Sequence, residues 1–130
     1  MAKCASFIKL LIVLGSLNAA AAVMLGAFGA HVLKTKLDSQ MFAVFSTGVQ
    51  YHMYHALGIL AVSMVASILH ETIWLKVSAW AMVGGIVLFS GSLYVLSLSG
   101  IHWFGAITPI GGTLFIVSWT MLAISALKST

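Results

Sequence analysis

The chain has 130 residues, 62% hydrophobic and 6% charged, with a net charge of +4. A soluble domain carries about 25% charged residues because its surface must face water, and six lysines with two acids cannot cover one. The composition excludes a water-soluble globule and leaves an integral membrane protein, long enough for about four spans of roughly 20 residues each.

The first predicted span covers 7–33, after Lys3 and Lys9. Its first half, Leu10-Leu11-Ile12-Val13-Leu14 followed by Asn18 and four alanines, has the look of a signal peptide. The apolar run continues through Met24 and Phe28 to Ala30, however, which is too long for a signal core and long enough to cross a bilayer. Small residues recur at spacing four, Gly15/Ala19 and then Ala22/Gly26/Ala30, a stripe that lets another helix approach closely. Asn18 should face protein, since its amide needs a partner in hydrocarbon.

A loop with Lys34, Lys36 and Asp38 follows, in which Asp38 or Ser39 can cap the next helix. The second span is predicted over 41–69 and the third over 74–98, with Trp74, Lys76 and Trp80 as interfacial anchors at its start. Gly84, Gly85 and Gly91 in that span are close-approach positions. The third loop contains His102, Trp103 and Phe104 and no formal charge, which suits the headgroup zone. Thr108-Pro109 reads as a helix start, Thr as cap and Pro in the first turn. The fourth span covers 109–127, with Gly111 and Gly112 as packing positions and Lys128 closing it.

Single lysines at the ends of apolar runs act as anchors and topology signals, not as a phosphate-tracking patch, so no nucleic-acid partner is expected. Lys3, Lys9, Lys76 and Lys128 fall on one side, Lys34 and Lys36 on the other. The bias puts both termini in the cytoplasm. A single cysteine, Cys4, excludes an internal disulfide and a multi-cysteine metal site.

Four segments carry a resemblance: Leu25 to His31, Thr47 to Tyr51 with His55-Ala56-Leu57, Leu88 to Tyr94, and Ile107 to Gly112. In that order they resemble the YgdD-like group of bacterial inner-membrane proteins, domain of unknown function number 423. The resemblance covers nearly the whole chain. It implies a four-span protein of the bacterial inner (cytoplasmic) membrane, with eukaryotic relatives, and it implies no activity. It places His31, Tyr51 and His55 inside the motifs and leaves His52 as a position particular to this member.

On a helix of 100° per residue, Tyr51, His55 and Gly58 share one flank with Thr47 beside them, while Val49, Met53, Leu57 and Leu60 take the other, a surface for lipid. His31 ends span one on the side where span two begins. Tyr94 and Thr108 arrive at the same side from spans three and four. The expectation is a polar cluster of His31, Gln50, Tyr51, His55, Tyr94 and Thr108 near the outer interface. Its members can hydrogen-bond one another and fix helix packing, bind a lipophilic ligand, relay a proton, or hold a metal. Two imidazoles without a carboxylate make a weak divalent site, so no metal and no cofactor are expected.

Asp38 and Glu71, the only carboxylates, fall in loops on opposite sides of the membrane, and no phosphate-cradling loop is present, so a catalytic set is incomplete. The expected fold is an all-α, four-helix transmembrane bundle. The expected role is non-catalytic, as a self-associating or accessory protein in the lipid bilayer. A carrier of a small solute, a proton or a lipophilic ligand is the alternative.

Overall fold

The computed structural model describes the backbone of residues 2–129 and the side chains of residues 5–129. Lys3 and Cys4, the first anchor and the lone thiol, have side chains outside the described residues. Helix α1 is Ala2–His31, and a 3-10 turn Leu33–Thr35 follows it. Helix α2 is Ser39–Leu69. The third span is built from α3 (Ile73–Gly85), a π-helical turn (Ile86–Ser90) and α4 (Gly91–Ser99). A 3-10 helix at His102–Ala106 leads into α5, Thr108–Leu127. Four of these units, with α3 to α4 counted as one, are long and apolar enough to cross a membrane, as the composition requires.

The helix ends follow local chemistry. Asp38 accepts a hydrogen bond from Met41 N at 2.8 Å and caps α2, as expected. Thr72 caps α3 by accepting from Leu75 N at 3.2 Å. Gly100 closes α4 with φ of 70°, a left-handed conformation open to glycine at no steric cost. Thr108 departs from expectation. It lies inside α5, and its hydroxyl meets Ser92 Oγ at 2.7 Å instead of capping. A side-chain partner on the neighbouring span wins over the helix's own amides.

Helix α1 packs chiefly along α2, and α3 packs along α5, with α2 also against α3, the π turn and α4. Helix α2 is therefore the central element. The α1 seam runs through Leu11, Gly15, Ala22 and Gly29, all buried. A Cβ on Gly15 would meet the Leu60 side chain at 2.7 Å, and one on Gly29 would meet Phe45 at 2.9 Å. Ala19 and Gly26 are half-buried on the same seam. Ala30, expected to end the stripe, is exposed. Spacing four drifts by about 40° per step, so a straight seam must insert steps of three, and Gly29 takes the place.

Val49 and Leu60, expected to face lipid, lie instead under α1, beside Gly26 and Gly15. The central helix has neighbours on that flank, and its lipid-facing strip passes through Gln50, Tyr54, Leu57 and Met64. In the half of the bundle away from the 33–38 connection, Leu11, Ile59, Val62, Ala66, Leu75, Ala79, Met82 and Ile86 form an apolar core closed by Phe115. At that end Glu71 pairs with Lys76, and Lys128 Nζ stands 4.6 Å from the Trp74 ring centroid, so the expected anchors are tied together.

Glycine decides the α5 crossing. A Cβ on Gly111 would strike the backbone of Phe89, and one on Gly85 would strike the Phe115 ring. Gly84 lies 3.3 Å from Leu114 by the same construction, and Gly112 makes ordinary contact with Phe89. Gly91, expected to pack, has nothing within 4 Å and looks outward. Gly111→Ala should therefore cost about 1–3 kcal/mol through overpacking against an immovable backbone, while Gly91→Ala should stay within about 0.5 kcal/mol. Unfolding in detergent, followed by circular dichroism, reads both; equal effects would contradict the crossing.

Candidate functional site

Two histidines one helical turn apart on α2 face different neighbours. His52 is buried between α1 and α4. Its Nε2 lies 3.1 Å from Asn18 Oδ1, and its Nδ1 lies 2.9 Å from Tyr94 Oη. Asn18 Nδ2 donates to the Leu14 carbonyl at 2.8 Å. A carbonyl only accepts, so the amide nitrogen must face Leu14 and Oδ1 must face His52. His52 Nε2 then carries the proton, and Nδ1 accepts from the Tyr94 hydroxyl. The chain of bonds joins three spans and leaves neither ring nitrogen unpaired.

His55, also buried, has the opposite tautomer. Its Nδ1 donates to the Tyr51 carbonyl at 2.7 Å, one turn back on the same helix. Its Nε2 accepts from Trp119 Nε1–H on α5 at 3.1 Å. The imidazole lies flat on the Phe115 ring, with centroids 3.4 Å apart and planes at 8°. Ser90 Oγ donates to Gly48 O at 2.8 Å, and Ser78 Oγ donates to Ser118 O at 2.8 Å, so further ties run from α2 to the π turn and from α3 to α5. Among the described residues, no buried side-chain nitrogen or oxygen lacks a partner.

Between α2 and α5 a groove of about 830 Å³ opens sideways. Tyr51, Tyr54, His55, Phe89, Phe115 and Trp119 line it, with Pro109 and Thr113 toward one end. Tyr51 contributes its ring, 4.7 Å from Phe89 by centroids. Phe89 belongs to the π turn, and Gly111, with no Cβ to meet the Phe89 backbone, lets α5 close on it.

The expected cluster is assembled in part. Tyr51 and His55 line the groove. Tyr94 is part of the His52 chain, on the other side of α2. Gln50 is exposed and donates from Nε2 to Tyr54 Oη at 2.6 Å. Thr108 pairs with Ser92. His31 does not join: it is exposed at the end of α1, beyond the level where Gly29 meets Phe45. Phe45 is ten residues, about 15 Å of helix, short of His55, and an antiparallel neighbour cannot close that gap.

The depth also differs from expectation. His55 lies sixteen residues, about 24 Å, into a helix about 46 Å long. The cluster is thus near mid-span and not at the interface. His52, set aside as particular to this chain, is the residue that joins most spans. Asn18 faces protein, as its amide demanded. Phe115 is not singled out by the sequence, and Trp119, expected there as an interface or packing residue and not as part of a binding site, lines the groove and donates to His55. The signal for Trp119 was an indole N–H well inside the last span, which needs an acceptor. No group of three metal-ligating side chains occurs among the described residues.

The family described as "Protein of unknown function (DUF423)" matches residues 25–112. The chain is similar to UPF0382 membrane protein YwdK of Bacillus subtilis, 52% identical over 120 residues, covering 92% of this chain and 98% of that one. It is similar to UPF0382 membrane protein SSP2132 of Staphylococcus saprophyticus, 48% identical over 121 residues, with 92% and 98% covered. A UPF0382 membrane protein of Staphylococcus epidermidis is 45% identical over 120 residues, with 92% and 97% covered. No solved structure matches.

Tyr94→Phe removes the donor to His52, and Asn18→Leu removes the acceptor. Each should cost about 0.6–1.7 kcal/mol, the range for side-chain bonds between helices in membranes. Both act through one imidazole, so the double variant should cost less than the sum of the two. Unfolding free energies in detergent give the cycle; strict additivity would contradict the shared chain.

Proposed function

The chain belongs to the DUF423 family of membrane proteins, and from that premise we propose that it is a non-catalytic protein of the cytoplasmic membrane that holds a lipophilic, ring-bearing molecule between α2 and α5. One observation carries the reading: an aromatic-walled groove of about 830 Å³ facing the lipid side of a multi-pass bundle. Ligand sites are concave, mostly apolar, and about 300–1,000 Å³ in volume.

The non-catalytic part rests on how the titratable groups are used. Asp38 caps α2, and Glu71 pairs with Lys76. Both nitrogens of His52 and of His55 are engaged. General acid–base work needs a group free to meet a substrate proton. Self-association has less support than its small-residue stripes gave it. Those on α1 are filled by α2, and Gly84, Gly85 and Gly111 are filled within the α3–α5 pair. Both termini face the cytoplasm in this proposal. The lysine bias supports that: Lys9, Lys76 and Lys128 lie toward the apolar-core end with Lys3 preceding them, against Lys34 and Lys36 at the other.

Native mass spectrometry of the detergent-purified protein should show a retained lipophilic mass. Thr113→Trp, which fills the groove from an exposed position, should lose it. A bare wild-type mass after incubation with total membrane lipid extract argues against the groove reading. For topology, a membrane-impermeant maleimide added to intact cells should leave Cys4 unlabelled and label a Cys4→Ser, Lys36→Cys variant. The reverse pattern inverts the orientation.

A further inference from the structure

The polar atoms of the groove narrow what it can hold. His55 Nε2 is engaged by Trp119 Nε1–H at 3.1 Å, so it offers no lone pair to a metal or to a ligand donor. Thr113 Oγ1 donates to the Pro109 carbonyl at 2.9 Å. Tyr54 Oη accepts from Gln50 Nε2, which leaves its own proton to donate. Tyr51 Oη makes no hydrogen bond among the described residues, and the side chain is 38% exposed along the groove. It lies twelve residues, about 18 Å, into α2, deeper than the interfacial belt where tyrosines in spans usually find water.

The groove thus presents phenolic hydroxyls, which are stronger donors than acceptors, and no other uncommitted side-chain nitrogen or oxygen of comparable strength. No charged side chain lines it. A ligand carrying a carboxylate, phosphate or ammonium would find no counter-charge. A porphyrin iron would find no axial nitrogen. The walls are flat rings: Phe89, Phe115 and Trp119 with Tyr51 itself. These rings pack on one another, Tyr51 on Phe89 at 4.7 Å and Phe89 on Phe115 at 5.4 Å between centroids, so a planar bicycle would lie against the wall they form, with the open side leaving a hydrocarbon tail free to enter the bilayer.

Resting on the groove reading above, we infer that the ligand is a neutral ring ketone of the quinone type, whose carbonyl oxygen accepts from the Tyr51 hydroxyl. The Tyr54 hydroxyl is the second donor on the same wall. The proposal is of binding only; the groove holds no electron donor and no proton exchange is required of it. Tyr51 is in this sense a specificity determinant: the aromatic walls accept any flat hydrocarbon, and the phenol selects the carbonyl.

The test uses a matched pair of probes, 2,3-dimethyl-1,4-naphthoquinone and 2,3-dimethylnaphthalene, which share a bicycle and differ in the carbonyls. The full chain is placed in phosphatidylglycerol–phosphatidylethanolamine vesicles, and binding is read by equilibrium dialysis against protein-free vesicles. Wild type should prefer the quinone by about tenfold, the worth of one hydrogen bond to a desolvated donor. Tyr51→Phe keeps the ring and should bring the preference close to one, leaving hydrocarbon binding unchanged. Thr113→Trp should lose both probes.

Equal binding of both probes to wild type, or an unchanged preference in Tyr51→Phe, overturns the ring-ketone assignment and leaves the groove reading standing. Failure of wild type to bind either probe overturns both, whether because a lipid chain stays in the groove or because a second copy covers it. Native mass spectrometry of the same sample tells those two occupants apart.

Discussion

In hydrocarbon a polar group has only the protein to bond with, and α2 carries two imidazoles at mid-depth. That constraint sets the arrangement of the spans around it. His52 needs an acceptor on one side and a donor on the other, and it takes them from α1 and α4. His55 spends one nitrogen on its own helix and must find a donor for the other, which α5 supplies. The two rings have opposite tautomers because their partners differ in kind. Each long helix is thereby tied to the central one by a bond that works only in one register.

The bundle divides into two halves by chemistry. Away from the 33–38 connection, Leu11, Ile59, Leu75 and Met82 pack without polar atoms beyond serines bonded to backbone carbonyls. Toward it lie the imidazoles, the tyrosines and the groove. Apolar packing between helices in lipid has little hydrophobic drive, so close contact at glycine and serine supplies the cohesion. The polar half adds directionality. A groove can open there because the helices on either side of it are already held by His55 and Trp119.

Much of the fold was legible in the sequence. The number of long apolar helices, the Asp38 cap and the inward face of Asn18 all follow from hydropathy and from unmet hydrogen bonds. The site was legible only in part. Tyr51 and His55 stand out on one helix, where spacing fixes relative direction. Their partners do not, because Trp119 lies 64 residues from His55 and Asn18 lies 34 from His52. No periodicity relates residues on different helices. His31 misled for the same reason: sharing a membrane side with α2's start does not fix depth. Of the expected lipid face of α2, Leu57 is exposed while Val49 and Leu60 lie under α1, because a single helix cannot say how many neighbours surround it.

The π-helical turn has a consequence for the third span. In it the Gly91 amide reaches back five residues to the Ile86 carbonyl, so one residue more than an α-turn holds is accommodated there. The segments before and after it are out of phase with a continuous α-helix. Ser78 answers to α5 before the turn, while Ser90 within it and Tyr94 beyond it answer to α2. Losing a single residue within the turn would rotate α4 by about 100° and swing Tyr94 away from His52. The span is thus two separately clocked rods, and the extra residue is the gear that lets one stretch of chain keep time with two partners.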